Sequence, residues 1–127
     1  MKNDVNVLVA DDDMLSIQLM CDVLEINFRN LKIEHALSVQ SFWAKIRTVN
    51  GANPWNLIFL TVEYIKEAPE GFLERVREAN PEAPGKIIIT DPAAGLELCG
   101  DDIRRLPLLI KPFSLDGFEE MVKAICG

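Results

Sequence analysis

VLVADDD, at residues 7–13, joins a short apolar run to three consecutive aspartates. Three later stretches share this design, an apolar run that ends in polar residues: LIFLT at 57–61, IIIT at 87–90 and LLIKPF at 108–113. Short, near-continuous apolar runs are typical of strands that are buried on both faces of a parallel sheet. The four stretches therefore predict an α/β protein whose strand ends carry its polar groups.

The apolar runs alternate with longer amphipathic segments, which indicates a parallel sheet covered by helices. Strands are predicted at residues 6–10, 32–36, 57–61, 86–90 and 108–110. Helices are predicted at residues 14–28, 38–49, 70–80 and 115–125, with a short or broken fourth helix between 93 and 105. The prediction is one domain over residues 1–127, a doubly wound five-stranded parallel sheet flanked by helices.

The first predicted helix carries an apolar stripe. Leu15, Leu19, Val23 and Ile26 recur at spacings of three and four residues, the pattern of a helix that packs against a core. On the second helix Phe42 and Trp43 are adjacent, so they cannot both point to one side. We expect one of the two rings to be buried and the other to be partly exposed.

Composition excludes several classes of function. The chain has 127 residues, 49% of them hydrophobic and 26% charged, which is ordinary for a globular domain. Its formal net charge of -7 disfavours binding to nucleic acid or to anionic membranes. The densest basic pair, Arg104 and Arg105, follows Asp101 and Asp102, which indicates a solvated helical face.

The three cysteines lack any metal-binding or disulfide spacing, and Cys21, Cys99 and Cys126 are expected to be reduced thiols. His35 is the only histidine, and a structural role is predicted for it. No stretch approaches the ~20 apolar residues of a membrane span, and the N-terminal apolar run is too short for a signal peptide. The expected location is the cytoplasm.

The polar strand ends form the candidate site. The carboxyl ends of parallel strands meet at one edge of the sheet, which is where such folds bind ligands. That edge would gather Asp11, Asp12, Glu63, Thr90, Asp91 and Lys111. Converging carboxylates are costly unless a cation neutralises them, so either a magnesium ion or an ion pair with Lys111 is expected there. Taken alone, aspartates at a strand end are most often helix caps or solvated loop residues.

The joint pattern of VLVADDD, LIFLT, IIIT and LLIKPF resembles the response-regulator receiver domain over essentially the whole chain. The resemblance implies a (βα)5 flavodoxin-like fold and a role in two-component, phosphorelay signal transduction. In that family two acidic residues after the first strand hold magnesium, and an aspartate that ends the third strand accepts a phosphoryl group. A threonine or serine ends the fourth strand and a lysine ends the fifth. Asp11, Asp12, Thr90 and Lys111 match by type and position.

Thr61 stands where the family pattern has its phosphoacceptor aspartate. A threonine hydroxyl is un-ionised at neutral pH, and no histidine lies beside it in sequence to activate it as a nucleophile. Asp91 replaces the small residue that usually follows the fourth-strand threonine, and Leu108 replaces the aromatic residue three positions before the lysine. The proline that often follows the phosphorylated aspartate is missing from residues 62–66. These departures indicate a degenerate receiver, or pseudo-receiver, without the phosphorylation switch.

The leading hypothesis is therefore a phosphorylation-independent protein-interaction module of signal transduction that is not an enzyme. It requires no cofactor, although weak Mg²⁺ binding at Asp11 and Asp12 is possible. The resemblance implies a protein partner, such as a kinase, an output domain or a regulator, that contacts the fourth helix, the fifth strand and the fifth helix.

Two alternatives remain open. Another ligand, or a kinase that modifies Thr61, could supply the switch. A small metal-dependent hydrolase or another flavodoxin-like enzyme could also use the acidic strand ends. The first loop, Asp11-Asp12-Asp13-Met14, disfavours phosphate cofactors because its carboxylates would repel them.

Overall fold

The structure is a computed structural model that describes residues 4–27, 30–48, 55–67, 70–81, 87–91, 105–110 and 115–126. The strands are β1 (Asp4–Ala10), β2 (Asn30–Ala36), β3 (Leu57–Thr61), β4 (Ile87–Asp91) and β5 (Leu108–Ile110). The helices are α1 (Met14–Asn27), α2 (Val39–Thr48), α3 (Val62–Lys66), α4 (Phe72–Ala79) and α5 (Leu115–Cys126). None of the helices in these ranges has the length and hydropathy needed to cross a membrane.

The strands form a sheet in the order β2-β1-β3-β4-β5, and each neighbouring pair is parallel. This is the strand order of flavodoxin-like folds, in which the chain reverses its direction of winding between β1 and β3. Ala10 pairs with Ala36 on one side and with Leu60 on the other, and Thr61 pairs with Thr90. The predicted α/β class and parallel sheet are confirmed.

Two hydrophobic cores cover the two faces of the sheet. Side chains alternate between the faces along each strand, so neighbouring residues enter different cores. The α1–α5 core contains Val5, Val7, Val9, Leu57, Phe59 and Ile88 of the strands, with Ile17, Met20, Val23 and Leu24 of α1 and Phe118 of α5. The opposite core contains Leu8, Ile58, Leu60, Ile87 and Ile89 of the strands, with Phe42, Ile46, Ile65, Phe72 and Val76 of the helices α2, α3 and α4.

The buried face of α1 differs from the predicted stripe. Of the four stripe residues only Val23 is buried, whereas Leu15, Leu19 and Ile26 are exposed. The helix packs instead through Ile17, Met20 and Leu24, together with Val23. Because α1 is apolar on two sides, its periodicity could not show which side faces the sheet.

The second helix follows its prediction more closely. Ser38 caps its N-terminus, since the Ser38 hydroxyl accepts a hydrogen bond from the Ser41 amide at 3.1 Å. Phe42 is buried and Trp43 is partly exposed, as predicted. The Trp43 ring meets the Phe42 ring edge-on with centroids 5.1 Å apart, and the Arg75 guanidinium lies 4.6 Å from its centre.

The α3 helix was missed in the sequence. It is a short helix of five residues that directly follows β3. The helix predicted at 70–80 is observed as α4, and Pro81 follows it. The predicted fourth helix, at 93–105, lies outside the described residues except for Arg105.

Candidate functional site

The candidate site lies at the carboxyl edge of the sheet, where β1, β3 and β4 end side by side. Asp11 directly follows β1, Thr61 ends β3, and Thr90 is the next-to-last residue of β4. All three side chains are buried although all three are polar. The structure thus brings together three of the residues that the sequence predicted for this site.

The pleat of the sheet places these three side chains on one face. Val9, Phe59 and Ile88 all enter the α1–α5 core. Asp11, Thr61 and Thr90 follow those residues by two positions, and residues two apart on a strand point to the same side. The site is therefore the polar continuation of the α1–α5 core.

Asp11 is tied into the fold by hydrogen bonds. Its side chain is 2% exposed, and its Oδ1 accepts from the Asp13 amide at 3.0 Å. Its Oδ2 accepts from the Thr90 hydroxyl at 3.5 Å. The Asp11 amide donates to the Ala36 carbonyl at 3.1 Å, which extends the pairing of β1 with β2. Both carboxylate oxygens of Asp11 therefore already have donors within the protein.

The next two aspartates have different roles. Asp12 is exposed, so its carboxylate faces solvent at the mouth of the site. Asp13 lies at the N-terminus of α1, where its backbone carbonyl accepts from the Ile17 amide at 3.0 Å. Its Oδ2 accepts a hydrogen bond of 2.6 Å from the Ser16 hydroxyl. Asp13 thus begins a helix, a position where its negative charge is favourable.

Thr61 caps the following helix. Its side chain is 2% exposed, and its Oγ1 accepts from the Glu63 amide at 3.4 Å. The backbone of Thr61 is extended and α3 starts at Val62, which is the usual geometry of an N-cap. The Glu63 side chain is exposed and lies 3.7 Å from the Lys66 ammonium group. Glu63 therefore contributes a surface ion pair in this region.

Tyr64 is a part of the site that the sequence reasoning missed. Its hydroxyl donates to the Ala36 carbonyl at 3.4 Å, the same carbonyl that accepts from the Asp11 amide. Burial raises the pKa of Tyr64 to about 12, and the nearby carboxylates of Asp12, Asp11 and Glu67 add to the shift. No motif pointed to this tyrosine, because α3 itself had not been predicted.

Three predicted site residues are not described in full. Lys111 lies outside the described residues. Asp91 and Leu108 lie in β4 and β5, where Asp91 pairs with Ile110 and Leu108 pairs with Ile89, but their side chains are outside the described part.

The residues present fit magnesium only partly. Mg²⁺ prefers an octahedral set of oxygen ligands and tolerates poor geometry badly. Within the described ranges no three His, Cys, Asp or Glu side chains are grouped closely enough to hold a metal. Asp11 and Asp12 offer two carboxylates, one of which is engaged with protein donors, and Thr61 offers a neutral hydroxyl.

Solved structures of response-regulator receiver domains match nearly the whole chain. A response regulator from Thermotoga maritima is 22% identical, with a TM-score of 0.73 over 96% of this chain and 97% of that one. This chain has the receiver-domain fold. A two-component response regulator from Clostridium difficile is 22% identical with a TM-score of 0.72, covering 96% of this chain and 95% of its own.

A CheY-like receiver domain protein from Methanospirillum hungatei is also similar, at 20% identity and a TM-score of 0.69, over 95% of this chain and 92% of that one. Receiver domains are modules of signal transduction, so the structural neighbours belong to that process. No protein-family model matches the sequence, and no curated protein matches it. The similarity to receiver domains therefore rests on the comparison of folds.

Proposed function

We propose that this chain is a degenerate receiver domain that acts in signal transduction as a phosphorylation-independent protein-interaction module. The observation that carries the proposal is the position of Thr61. It ends β3 at the carboxyl edge of the sheet, between the strands that carry Asp11 and Thr90. By resemblance to receiver domains, that position belongs to the aspartate that accepts the phosphoryl group.

The local chemistry at Thr61 supports this proposal. A receiver nucleophile must be an ionised carboxylate, whereas a threonine hydroxyl needs a base to become nucleophilic. The Thr61 oxygen accepts a hydrogen bond from the Glu63 amide, and its strand neighbour Thr90 is also a neutral hydroxyl. Both oxygens of the Asp11 carboxylate accept hydrogen bonds from donors within the protein.

Modification of Thr61 by a kinase receives little support. The side chain is 2% exposed and belongs to a strand end that continues directly into α3. A kinase must reach the hydroxyl from solvent, which would require this edge of the sheet to open. No observation within the described residues favours the enzyme alternative. His35, the only histidine, is exposed on β2, and its Nε2 lies 3.6 Å from the Cys21 thiol.

The test is exposure to a small phosphodonor followed by intact-mass measurement. The protein is incubated with acetyl phosphate and Mg²⁺, beside a receiver domain that keeps its aspartate as a reagent control. We expect the control to gain one phosphoryl group and this chain to gain none. A phosphoryl group mapped to Thr61, Asp11 or Asp12 would overturn the proposal. Cytoplasmic location is part of the same proposal, and cell fractionation tests it.

A further inference from the structure

A group of aromatic rings lies where α2 packs against α4. The Phe72 ring stacks with the Phe42 ring at a centroid distance of 6.0 Å, and its centroid lies 5.2 Å from that of Trp43. Phe42 and Phe72 are buried, whereas Trp43 is only partly buried. Trp43 therefore presents part of an aromatic ring to the space outside the core.

A cleft opens beside this ring, and we call it the α2–α4 cleft. Its volume is about 480 Å³, which is within the range of roughly 300–1,000 Å³ that is usual for small-molecule sites. Three residues of each helix line it: Gln40, Trp43, Arg47, Arg75, Glu78 and Ala79. The three residues of α2 follow each other at spacings of three and four, so they share one side of that helix.

A smaller aromatic cavity adjoins the cleft. Its volume is about 260 Å³, and three of its six lining residues are aromatic: Val39, Trp43, Tyr64, Glu67, Phe72 and Arg75. Trp43 and Arg75 line both spaces. A ligand in the α2–α4 cleft therefore has aromatic surface beside it, which favours a ligand that carries a ring of its own.

The charges of the α2–α4 cleft favour a ligand with one negative charge. Arg47 and Arg75 contribute two positive charges and Glu78 contributes one negative charge, so the lining has a formal net charge of +1. The whole chain has a formal net charge of -7, so this positive site is a local feature. Within the described ranges neither arginine forms an ion pair with a carboxylate. A carboxylate matches this charge better than a doubly charged phosphate ester does.

Arg75 is placed to bind an anion beside an aromatic ring. Its guanidinium carbon lies over the Trp43 ring, 4.6 Å from the ring centre. A guanidinium group that stacks on a ring can still donate from its edge to both oxygens of a carboxylate. Arg47 lines the same cleft one helical turn after Trp43, so a second guanidinium group is available to the same anion.

We propose that the α2–α4 cleft binds a small aromatic carboxylate. Arg47 and Arg75 hold the carboxylate, and the ring of the ligand lies against Trp43 and towards the aromatic cavity. Tyr64 lines that cavity, and its hydroxyl donates to the carbonyl of Ala36 beside the candidate site. The cleft thus gives the chain a ligand site that does not involve Thr61.

The test follows the two indole N–H signals of the isotope-labelled protein by nuclear magnetic resonance. The probe is naphthoate; naphthamide lacks its charge and cyclohexanecarboxylate lacks its aromatic ring. We expect naphthoate to shift the Trp43 signal until it saturates, and to shift the signal of Trp55, which is 4% exposed, much less. Naphthamide should bind at least about tenfold more weakly than naphthoate, and cyclohexanecarboxylate at least about threefold more weakly.

Three variants make the test specific to the cleft. Arg47→Gln/Arg75→Gln should reduce the preference for naphthoate over naphthamide at least about tenfold. Arg77→Gln is the matched control, because Arg77 is exposed on α4 but lines neither cavity, and it should leave the affinity unchanged. Glu78→Gln removes a repelling carboxylate and should tighten naphthoate binding about threefold. All of these positions are exposed, so the fold is expected to survive, and circular dichroism verifies it.

Four results would contradict the assignment of this site. Equal shifts of the Trp43 and Trp55 signals would show non-specific binding. An unchanged preference in Arg47→Gln/Arg75→Gln, or an equal loss in Arg77→Gln, would show that the two arginines do not hold the carboxylate. Tighter binding of naphthyl phosphate than of naphthoate would assign the cleft to phosphate esters. Thr61 lines neither cavity, so this site and the proposed function can fail separately.

Discussion

The hydroxyl of Thr90 donates to Oδ2 of Asp11 at 3.5 Å, although the two residues belong to strands separated by β3. Thr61 ends that intervening strand and pairs with Thr90. The hydrogen bond between Asp11 and Thr90 therefore crosses the end of β3.

A carboxylate introduced at position 61 should make folding less favourable in the absence of metal. Thr61→Asp places a like charge beside Asp11, and we expect it to lower the free energy of unfolding by roughly 1–3 kcal/mol relative to Thr61→Asn. Asparagine is the matched control, because it has nearly the same shape as aspartate and both residues cap helices well. Urea unfolding of the two variants measures the difference.

Magnesium should reverse that difference. The third carboxylate completes a more favourable ligand set with Asp11 and Asp12, and a ligand that binds only the folded state stabilises it by about 2.7 kcal/mol at one hundred times its Kd. We expect Mg²⁺ to raise the melting temperature of Thr61→Asp and to change the wild type and Thr61→Asn little. Equal changes in the melting temperature of all three proteins would show that residue 61 does not share a magnesium site with Asp11 and Asp12.

Tyr64 should titrate at unusually high pH. It is the only tyrosine in the chain, so phenolate absorbance reports this residue alone. We expect a midpoint of about 12 in the folded protein, against about 10 in denaturant. A midpoint near the ordinary value would place the hydroxyl in solvent, away from Ala36.

The same shift predicts how stability depends on pH. The unfolded chain releases the Tyr64 proton first, so this contribution to stability is complete below pH 10 and is lost as the pH rises towards 12. Tyr64→Phe lacks an ionisable group, and its urea midpoint should fall less over that interval. At neutral pH the variant should be less stable by about 1 kcal/mol, because the hydrogen bond to Ala36 is gone.

Lys111, which lies outside the described part of the chain, is expected from the strand-end pattern to pair with the carboxylate of Asp11 or Asp12. Of these two residues Asp11 is buried. Lys111→Met should then cost roughly 3 kcal/mol, the usual effect of leaving a buried charge without its partner. In the double variant Lys111→Met/Asp11→Asn the loss should be smaller than the sum of the single losses. If Lys111→Met left stability intact but abolished a measurable activity, the enzyme alternative would replace the interaction role.

The partner surface implied by the resemblance makes a separate prediction. Arg104→Ala, Arg105→Ala and Glu119→Ala should weaken a partner captured from the native cell without changing the melting temperature. Glu119 pairs with Lys123 at 3.3 Å on the surface, and exposed pairs of this kind contribute under about 0.5 kcal/mol. Arg77→Ala, on the exposed side of α4, is the charge-matched control. Equal weakening by Arg77→Ala would refute that surface.

Sequence alone determined the class of fold and the edge that carries the site. Apolar runs such as 57–60 and 87–89 are typical of buried strands, and a parallel sheet brings strand ends together at one edge. Asp11, Thr61 and Thr90 were found in this way because each lies at the end of an apolar run or directly after it. Strands and their ends depend on residues that are neighbours in the sequence and on the alternation of side chains along a strand.

Tertiary structure decided which sides of the helices are buried and which groups meet. The α1 helix is apolar on two sides, and only its packing against the sheet shows which side is inside. Ile17, Met20 and Leu24 are buried, whereas Leu15, Leu19 and Ile26 are exposed. The Tyr64 hydroxyl donates to the carbonyl of Ala36, a residue 28 positions earlier in the chain. Tyr64 lies on α3, a helix that no local sequence pattern predicted. Such contacts form between residues distant in sequence, so they depend on how the elements pack and not on local periodicity.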